Sequence, residues 1–341
     1  MKTKKKLWII LSIITIISII SYLFIWMITT PYELFPTDPI RRELLKNAIQ
    51  SILERKILQV TAMIISAILI SSTTLIFQTM TNNRILTPSL IGFDAMFITI
   101  QTIIIFLFGS TSLLNIHPYL NFIVSTLFMI VIALSMYKMI LRKNKNNIIF
   151  LLLVGMVLST LSRSLSSFLQ TIMDPVEFQS LTIRTEVSVA NMNTSVIVIA
   201  LPLMVVLIAL MVRQFKHYDV MVLGESQAIG LGVEYTKKMN LSLVYIAIAL
   251  SISTAMIGPI SFLGLIAVNA AREILKHYKH FPLFIASSLL AVIFLVMGQT
   301  IIVETGYLTT VTVLMSMVGG AYMIYLVLKE INYIKSSENN E

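Results

Sequence analysis

Cysteine is absent from the 341-residue chain. That excludes disulfides, thiolate metal sites and cysteine nucleophiles together, and leaves the redox compartment open. Charge is scarce: 12% of residues are charged, against about 25% in a soluble domain. The four histidines, His117, His217, His277 and His280, form no i, i+4 pair, so no zinc or haem ligand set is expected. No Gly-rich loop ending in lysine offers a cradle for nucleotide phosphates. No Ser/His/Asp arrangement suggests a hydrolase, so no catalytic residue is assigned. A proton- or sodium-coupled carrier would need ionisable groups inside its spans, and no carboxylate pair falls within an apolar run. Asp94 comes nearest, at the inner end of the third run, where an interfacial position is expected. Glu186 and Glu304 fall in outer connections. A chain lacking all of these moves something without carrying its own energy source, and a driving partner is implied.

What is present is apolar. Hydrophobic residues make up 57% of the chain and the mean hydropathy is +0.89. Runs of spanning length fall near 7–28, 57–80, 90–109, 119–140, 148–170, 194–213, 239–257, 258–275, 282–303 and 306–328. Their length makes them helices, because strands of a membrane barrel are about 10 residues long and alternate in character. Ten is even, so both termini are expected on one side. With that side cytoplasmic, the inner segments hold 18 of the 25 Lys and Arg residues, as the excess of inner positive charge requires. The net charge of +9 is therefore topological and does not suggest nucleic acid. The first run, behind a basic start and without a small-residue cleavage site, reads as a retained span. No linker interrupts the pattern, so residues 1–341 form one membrane domain.

The outer basic residues are Arg41, Arg42, Lys46, Arg55, Lys56, Arg163 and Arg184. Five of them share segment 29–56 with Glu33, Asp38, Glu43 and Glu54, as either a solvated surface helix or a docking surface for an acidic partner. Residues 171–193 contain DPVEFQS, a short helix expected across the outer face. Residues 214–238 lie inside and hold a short amphipathic pattern ending in Gly230 and Gly232.

Three stretches interrupt the apolar pattern: QTMTNNRILTPSLIGFDA (Gln78–Ala95), VLGESQAIGLGV (Val222–Val233) and GPISFLGLIAVNAAR (Gly258–Arg272). The third covers about 22 Å as a helix, short of a bilayer core of about 30 Å. Its Gly-Pro pair lets one helix end and another begin at depth, which occurs where backbone faces a cavity or protein. A packing kink is the plainer alternative. The second stretch is either a short helix whose small residues admit close approach by another protein, or an ordinary helix–turn loop.

All three stretches resemble one family, the membrane subunits of ATP-binding-cassette importers for iron–siderophore complexes, haem and vitamin B12. Gln78, Asn83, Pro88 and Gly92 fall in register with its first signature. Gly224, Glu225, Ala228, Leu231 and Gly232, with Leu223 beside them, match its coupling helix. Gly258, Pro259, Ile260, Phe262, Gly264, Leu265 and Arg272 match its third signature. Three positions depart: Arg84 replaces a proline, and Val268 and Asn269 replace a Pro-His pair. TNNRILTPSLIGFD is similar to permeases for catecholate-type ferric siderophores such as petrobactin and anguibactin. Two family arginines that meet an external binding protein map to Lys56 and Gln59, with Arg55 adjacent; a third falls near Val303.

The resemblance implies an all-α type II importer permease of about ten transmembrane helices in a bacterial plasma membrane, with both termini cytoplasmic. It would translocate a ferric siderophore along its interface with a second permease subunit. An extracellular lipid-anchored binding protein would deliver the complex, and two cytoplasmic ATPase subunits would hold ATP and Mg, so this chain would bind no cofactor or metal and perform no chemistry. Gln78, Asn83, Pro88, Gly92, Gly258, Pro259, Ser261 and Gly264 would shape the passage, with a lining of Met, Thr and Ser and no fixed charge. A permease for haem or cobalamin, and a secondary carrier independent of ATP, are the alternatives.

Overall fold

Inside a bilayer every backbone N–H and C=O must be bonded within the protein, which leaves an apolar chain of this kind the helix as its repeating element. The computed structural model describes residues 2–29, 39–143, 148–185, 194–306 and 309–338, and among these residues no strand occurs. In chain order the helices are α1 (Lys2–Thr29), α2 (Pro39–Met80), α3 (Phe93–Phe108), α4 (Leu113–Ile116), α5 (Pro118–Lys143), α6 (Ile148–Thr171), α7 (Pro175–Thr185), α8 (Ile197–Met221), α9 (Glu225–Gly230), α10 (Tyr235–Ile257), α11 (Leu263–Leu275), α12 (His280–Glu304) and α13 (Val311–Glu338). Prolines 39, 118 and 175 each open a helix, where a missing N–H removes no intrahelical bond.

Eight of these helices are long and apolar enough to cross a membrane. Together with the shorter α3 and α11 they coincide with the ten expected runs. The chain is a multi-pass, all-α membrane protein. The differences lie in extent. Instead of a span opening at 57, α2 is one 42-residue helix, about 63 Å long, so its first turns extend well beyond a bilayer core. The expected surface helix in 29–56 is thus, from Pro39 on, the start of α2. The other expected outer helix is α7, opened by Asp174, whose carboxylate accepts from Val176 N–H at 2.9 Å. Residues 30–38 and 186–193, with Glu33, Asp38 and Glu186, lie outside the described residues.

Burial sorts the helices. The spanning window of α2 is 83% buried, whereas those of α6 and α13 are 22% and 17% buried. The central helix is rich in hydroxyls, including Ser66, Ser71, Ser72, Thr73 and Thr74, all buried. Thr73 and Thr74 donate to Leu69 O and Ile70 O one turn back, each at 2.8 Å, which satisfies them without a partner helix. Small side chains let backbones approach closely. A Cβ on Gly264 of α11 would run into the Thr74 side chain and stand 3.1 Å from Ile70 O of α2. A Cβ on Gly155 of α6 would stand 2.9 Å from Ile91 Cα.

The bundle has two distinct ends. At one, the ends of α2, α8 and α11 meet the starts of α10 and α12. Tyr235 Oη donates to Met80 O at 3.3 Å, and His280 N–H donates to Asp219 Oδ1 at 2.7 Å. At the other, α7 covers the end of α3: Ser110 N–H donates to Glu177 Oε2 at 2.6 Å, and Arg184 Nη2 to Asn115 O at 3.0 Å.

Because Gly264 sits against a side chain of the central helix, Gly264→Ala is expected to destabilise the fold by about 1–3 kcal/mol. Thermal unfolding in detergent checks this: the variant unfolds at lower temperature, and Thr74→Ala in the same chain recovers part of the loss.

Candidate functional site

The helix break begins where α10 stops. Gly258 has φ 86°, a left-handed conformation that costs glycine nothing, and its N–H closes the last turn on Thr254 O at 2.8 Å. Pro259 follows, and α11 starts only at Leu263. Thirteen residues make α11 about 20 Å long, so the break lies at membrane depth rather than at the surface. Its exposed backbone is held by neighbours. Thr312 of α13 donates to Pro259 O at 3.1 Å. Phe262, at φ 64°, packs its Cβ onto the bare backbone of Gly319.

A second irregular segment, 81–92, faces this break. Arg84 O accepts two side-chain amides, from Gln78 Nε2 at 2.7 Å and from Asn269 Nδ2 at 2.9 Å. Asn83 is exposed, and its Oδ1 accepts from Ile85 N–H at 2.8 Å, which sets the turn. Pro88 opens a short 3-10 turn that ends on Gly92. A Cβ on Gly92 would stand 2.9 Å from Ser159 Cβ, so α6 lies directly against it. Gln78, Gly92, Ser261 and Gly264 thereby belong to one assembly of α2, α3, α6 and α11. Asn269 takes a definite role: it pins the carbonyl of Arg84, so two of the three positions that depart from the resembled signatures are bonded to each other. The chain order gives no signal for that pairing across 185 positions.

Asp94 corrects the sequence reading. It is 8% exposed and accepts from Ser261 Oγ at 2.5 Å, so it ties the start of α3 to the helix break instead of sitting at an interface. Arg163 of α6 is its electrostatic neighbour. The sequence tally placed Arg163 among the outer residues, yet it lies eight residues inside the end of a helix that runs to Thr171. Its position within the run 148–170 was the available signal.

The segment 222–233 forms a knuckle between α8 and α10. Gly224, at φ 98°, caps the start of α9, and Gly232 has φ 84°. Ala228 is fully buried against the bundle. The remaining face points away: Leu223, Ile229 and Leu231 are 55%, 55% and 64% exposed, and Glu225 is exposed with them. Gly230 has no heavy atom within 4 Å of where a Cβ would stand. Three residues behind this knuckle's start, Asp219 fastens α8 to α12 through His280. The imidazole Nδ1 lies 2.7 Å from Asp219 Oδ1 and Nε2 lies 2.8 Å from Thr79 Oγ1 of α2. His280 is 1% exposed. Dismissing the histidines as metal ligands missed this bridge; among the described residues no group of three His, Cys, Asp or Glu gathers to hold a metal.

The residues mapped to binding-protein docking lie apart, on the first half of α2. Lys56 is 9% and Gln59 6% exposed. Tyr22 Oη of α1 donates to Gln59 Oε1 at 2.8 Å, and Lys56 Nζ lies 4.3 Å from the Tyr22 ring centroid. Only Arg55 of the three is exposed.

Residues 6–329 match the FecCD transport family. The chain is 43% identical to the petrobactin import system permease protein YclO of Bacillus subtilis, over 82% of this chain and 89% of that one. It is 30% identical to the petrobactin import system permease protein FatC of Bacillus anthracis, over 82% and 79%. Its fold superposes with a TM-score of 0.78 on a metal-chelate type ABC transporter solved in an inward-facing conformation, covering 95% of this chain and 99% of that one at 19% identity. An all-helical bundle with a broken helix at depth, a re-entrant turn against it and a capped knuckle at one end accompanies a match over nearly the whole chain: the protein belongs to the FecCD transport family.

Proposed function

We propose that this chain is the membrane-spanning subunit of an ATP-driven importer that carries a ferric siderophore into the cell. The observation that carries the reading is the knuckle. Outside the spanning helices, where no lipid accounts for it, three large apolar side chains stay exposed around a glycine-rich turn, at the end of the molecule where the flanking segments are basic. A complementary groove on a cytoplasmic protein accounts for that exposure. The family match and the two relatives named for petrobactin import support ferric siderophore as the cargo class.

In this reading the knuckle sits in an ATPase subunit that holds ATP and Mg, and the chain itself supplies no catalytic group. Force applied at 222–233 passes through α8 and α10. Asp219–His280–Thr79 carries it to α12 and α2, so the central helices and the segments around the break move as a unit. A second permease, identical or related, covers the poorly buried faces of α6 and α13. An external binding protein docks at the opposite end, where Arg55 and the extension of α2 stand clear. The membrane is the bacterial plasma membrane and both termini are cytoplasmic.

Reconstitution tests the class. Uptake of iron from a ferric siderophore is expected only with ATP, the ATPase subunit and the binding protein together; uptake that ignores ATP favours a secondary carrier and overturns the proposal. A sharper test uses Gly230. Since nothing in the chain crowds that position, Gly230→Arg is expected to leave stability within about 0.5 kcal/mol, as for an unconstrained surface site. Co-purification of the ATPase and iron uptake are both expected to fall by roughly tenfold or more, by the logic that a bulky charge in an interface core costs several kcal/mol. Gly224→Arg is less informative, because its φ of 98° adds backbone strain. Wild-type uptake by Gly230→Arg would place the ATPase contact elsewhere.

A further inference from the structure

The exposed half of α6 is divided lengthwise. At about 100° per residue, Thr160, Arg163, Ser164, Ser167 and Thr171 fall in one sector roughly 100° wide, and all five are exposed. Val157, Leu161, Leu165 and Phe168 fill the adjoining sector and are 61–68% exposed except Leu165 at 43%. Toward the basic end the first sector turns apolar, with Met156 and Leu153. Hydroxyls and a charge therefore occupy one stripe in the half nearer α7, and lipid-compatible side chains occupy the other. The polar stripe leads to a cleft of ≈ 380 Å³ lined by Ser167, Gln170, Thr171, Met173, Pro175 and Phe178.

Arg163 sits deep in this stripe. The spanning part of α6 is Phe150–Thr171, so Arg163 lies about 4 Å from its midpoint and about 12 Å from Thr171 at 1.5 Å per residue. A guanidinium at that depth is costly against lipid, and such groups face a water-filled cavity or another protein group. Among the described residues no carboxylate lies within 4.0 Å of it. The described ion pairs within 4.0 Å are Lys237–Glu234, His280–Asp219 and Lys329–Glu273. The nearby carboxylate, Asp94, is buried and already engaged by Ser261.

We infer that Arg163 is a selectivity residue of the passage: its guanidinium, with the hydroxyls of Ser164 and Ser167 beside it, receives anionic oxygens of the cargo as it passes the membrane midplane. The inference rests on the importer reading and narrows it to a net-negative ferric complex. Iron wrapped in catecholate or carboxylate oxygens meets that description; a ferric trihydroxamate, neutral around its metal, does not. The passage thus carries a fixed charge, against the sequence expectation of a lining with none.

The absence of cysteine makes the test direct. Single cysteines are introduced in membranes and treated with anionic and cationic methanethiosulfonates. Ser164→Cys and Ser167→Cys are expected to react, and Leu161→Cys and Leu165→Cys to stay unlabelled. The anionic reagent is expected to react several-fold faster than the cationic one at Ser167→Cys, at the order of 1 kcal/mol for nearby charges in a wet site, and Arg163→Gln abolishes that preference. Uniform or inverted labelling, or no charge preference, overturns the inference. In the reconstituted transporter with ferric petrobactin as probe, Arg163→Gln is expected to slow iron uptake roughly tenfold or more. Arg163→Lys retains most of it, and both variants still co-purify with the ATPase. Wild-type uptake by Arg163→Gln also overturns it. Failure of the unmodified transporter to take up the probe with ATP would refute the importer reading alone, and the labelling would still decide the place of Arg163.

Discussion

Two irregular backbone segments, 81–92 and 258–262, lie at or near membrane depth, and neither can leave its peptide groups to lipid. Carbonyls in each are held by side chains from elsewhere, Arg84 O by Gln78 and Asn269 and Pro259 O by Thr312. Ser261 ties the second segment to the Asp94 side chain at the start of α3. The rest of the bundle is arranged around this mutual bracing. It explains why α2 is the most buried helix and carries so many hydroxyls. It explains the bare backbones at Gly155, Gly264 and Gly319, where α6, α11 and α13 must come close enough to close the gap. A straight apolar span would be simpler to fold, but it would leave no element able to shift without dragging a whole helix.

The connection from that braced centre to the knuckle is short. Ala228 seats α9 on the bundle, Tyr218 Oη lies 2.7 Å from Ser242 Oγ to bind α8 to α10, and the Asp219–His280–Thr79 bridge carries α8 to α12 and α2. Polar contacts buried in a low-dielectric setting are strong and directional. A displacement of the knuckle therefore moves several helices instead of bending one. In the proposed importer, a push at the knuckle reaches the braced centre by this route.

Much of this was legible beforehand. All ten apolar runs are helices, the Gly258-Pro259 break and the capped turn at 224–232 form where their residues require, and α7 lies where DPVEFQS was read as a helix. The misreadings share a cause. Asp94 was placed by its distance from a run's end, although the chain between α2 and α3 folds back and buries it. Arg163 was sorted by side of the membrane and not by depth. The docking positions Lys56 and Gln59 are a different matter: counting from Gln78 locates them along α2 and carries no information on Tyr22 of α1, which contacts both.

The amino-acid order by itself determined that the ten apolar runs are helical, where the Gly258-Pro259 break falls and which segments between the runs are basic. Hydropathy, proline's missing N–H and glycine's freedom at positive φ all act within a few residues. Tertiary structure alone decided which helix lies at the centre, which carbonyl each buried amide holds, and which stripe of α6 is left polar and uncovered. Those are pairings through space between residues as far apart as Arg84 and Asn269, and packing settles them only once the helices have met.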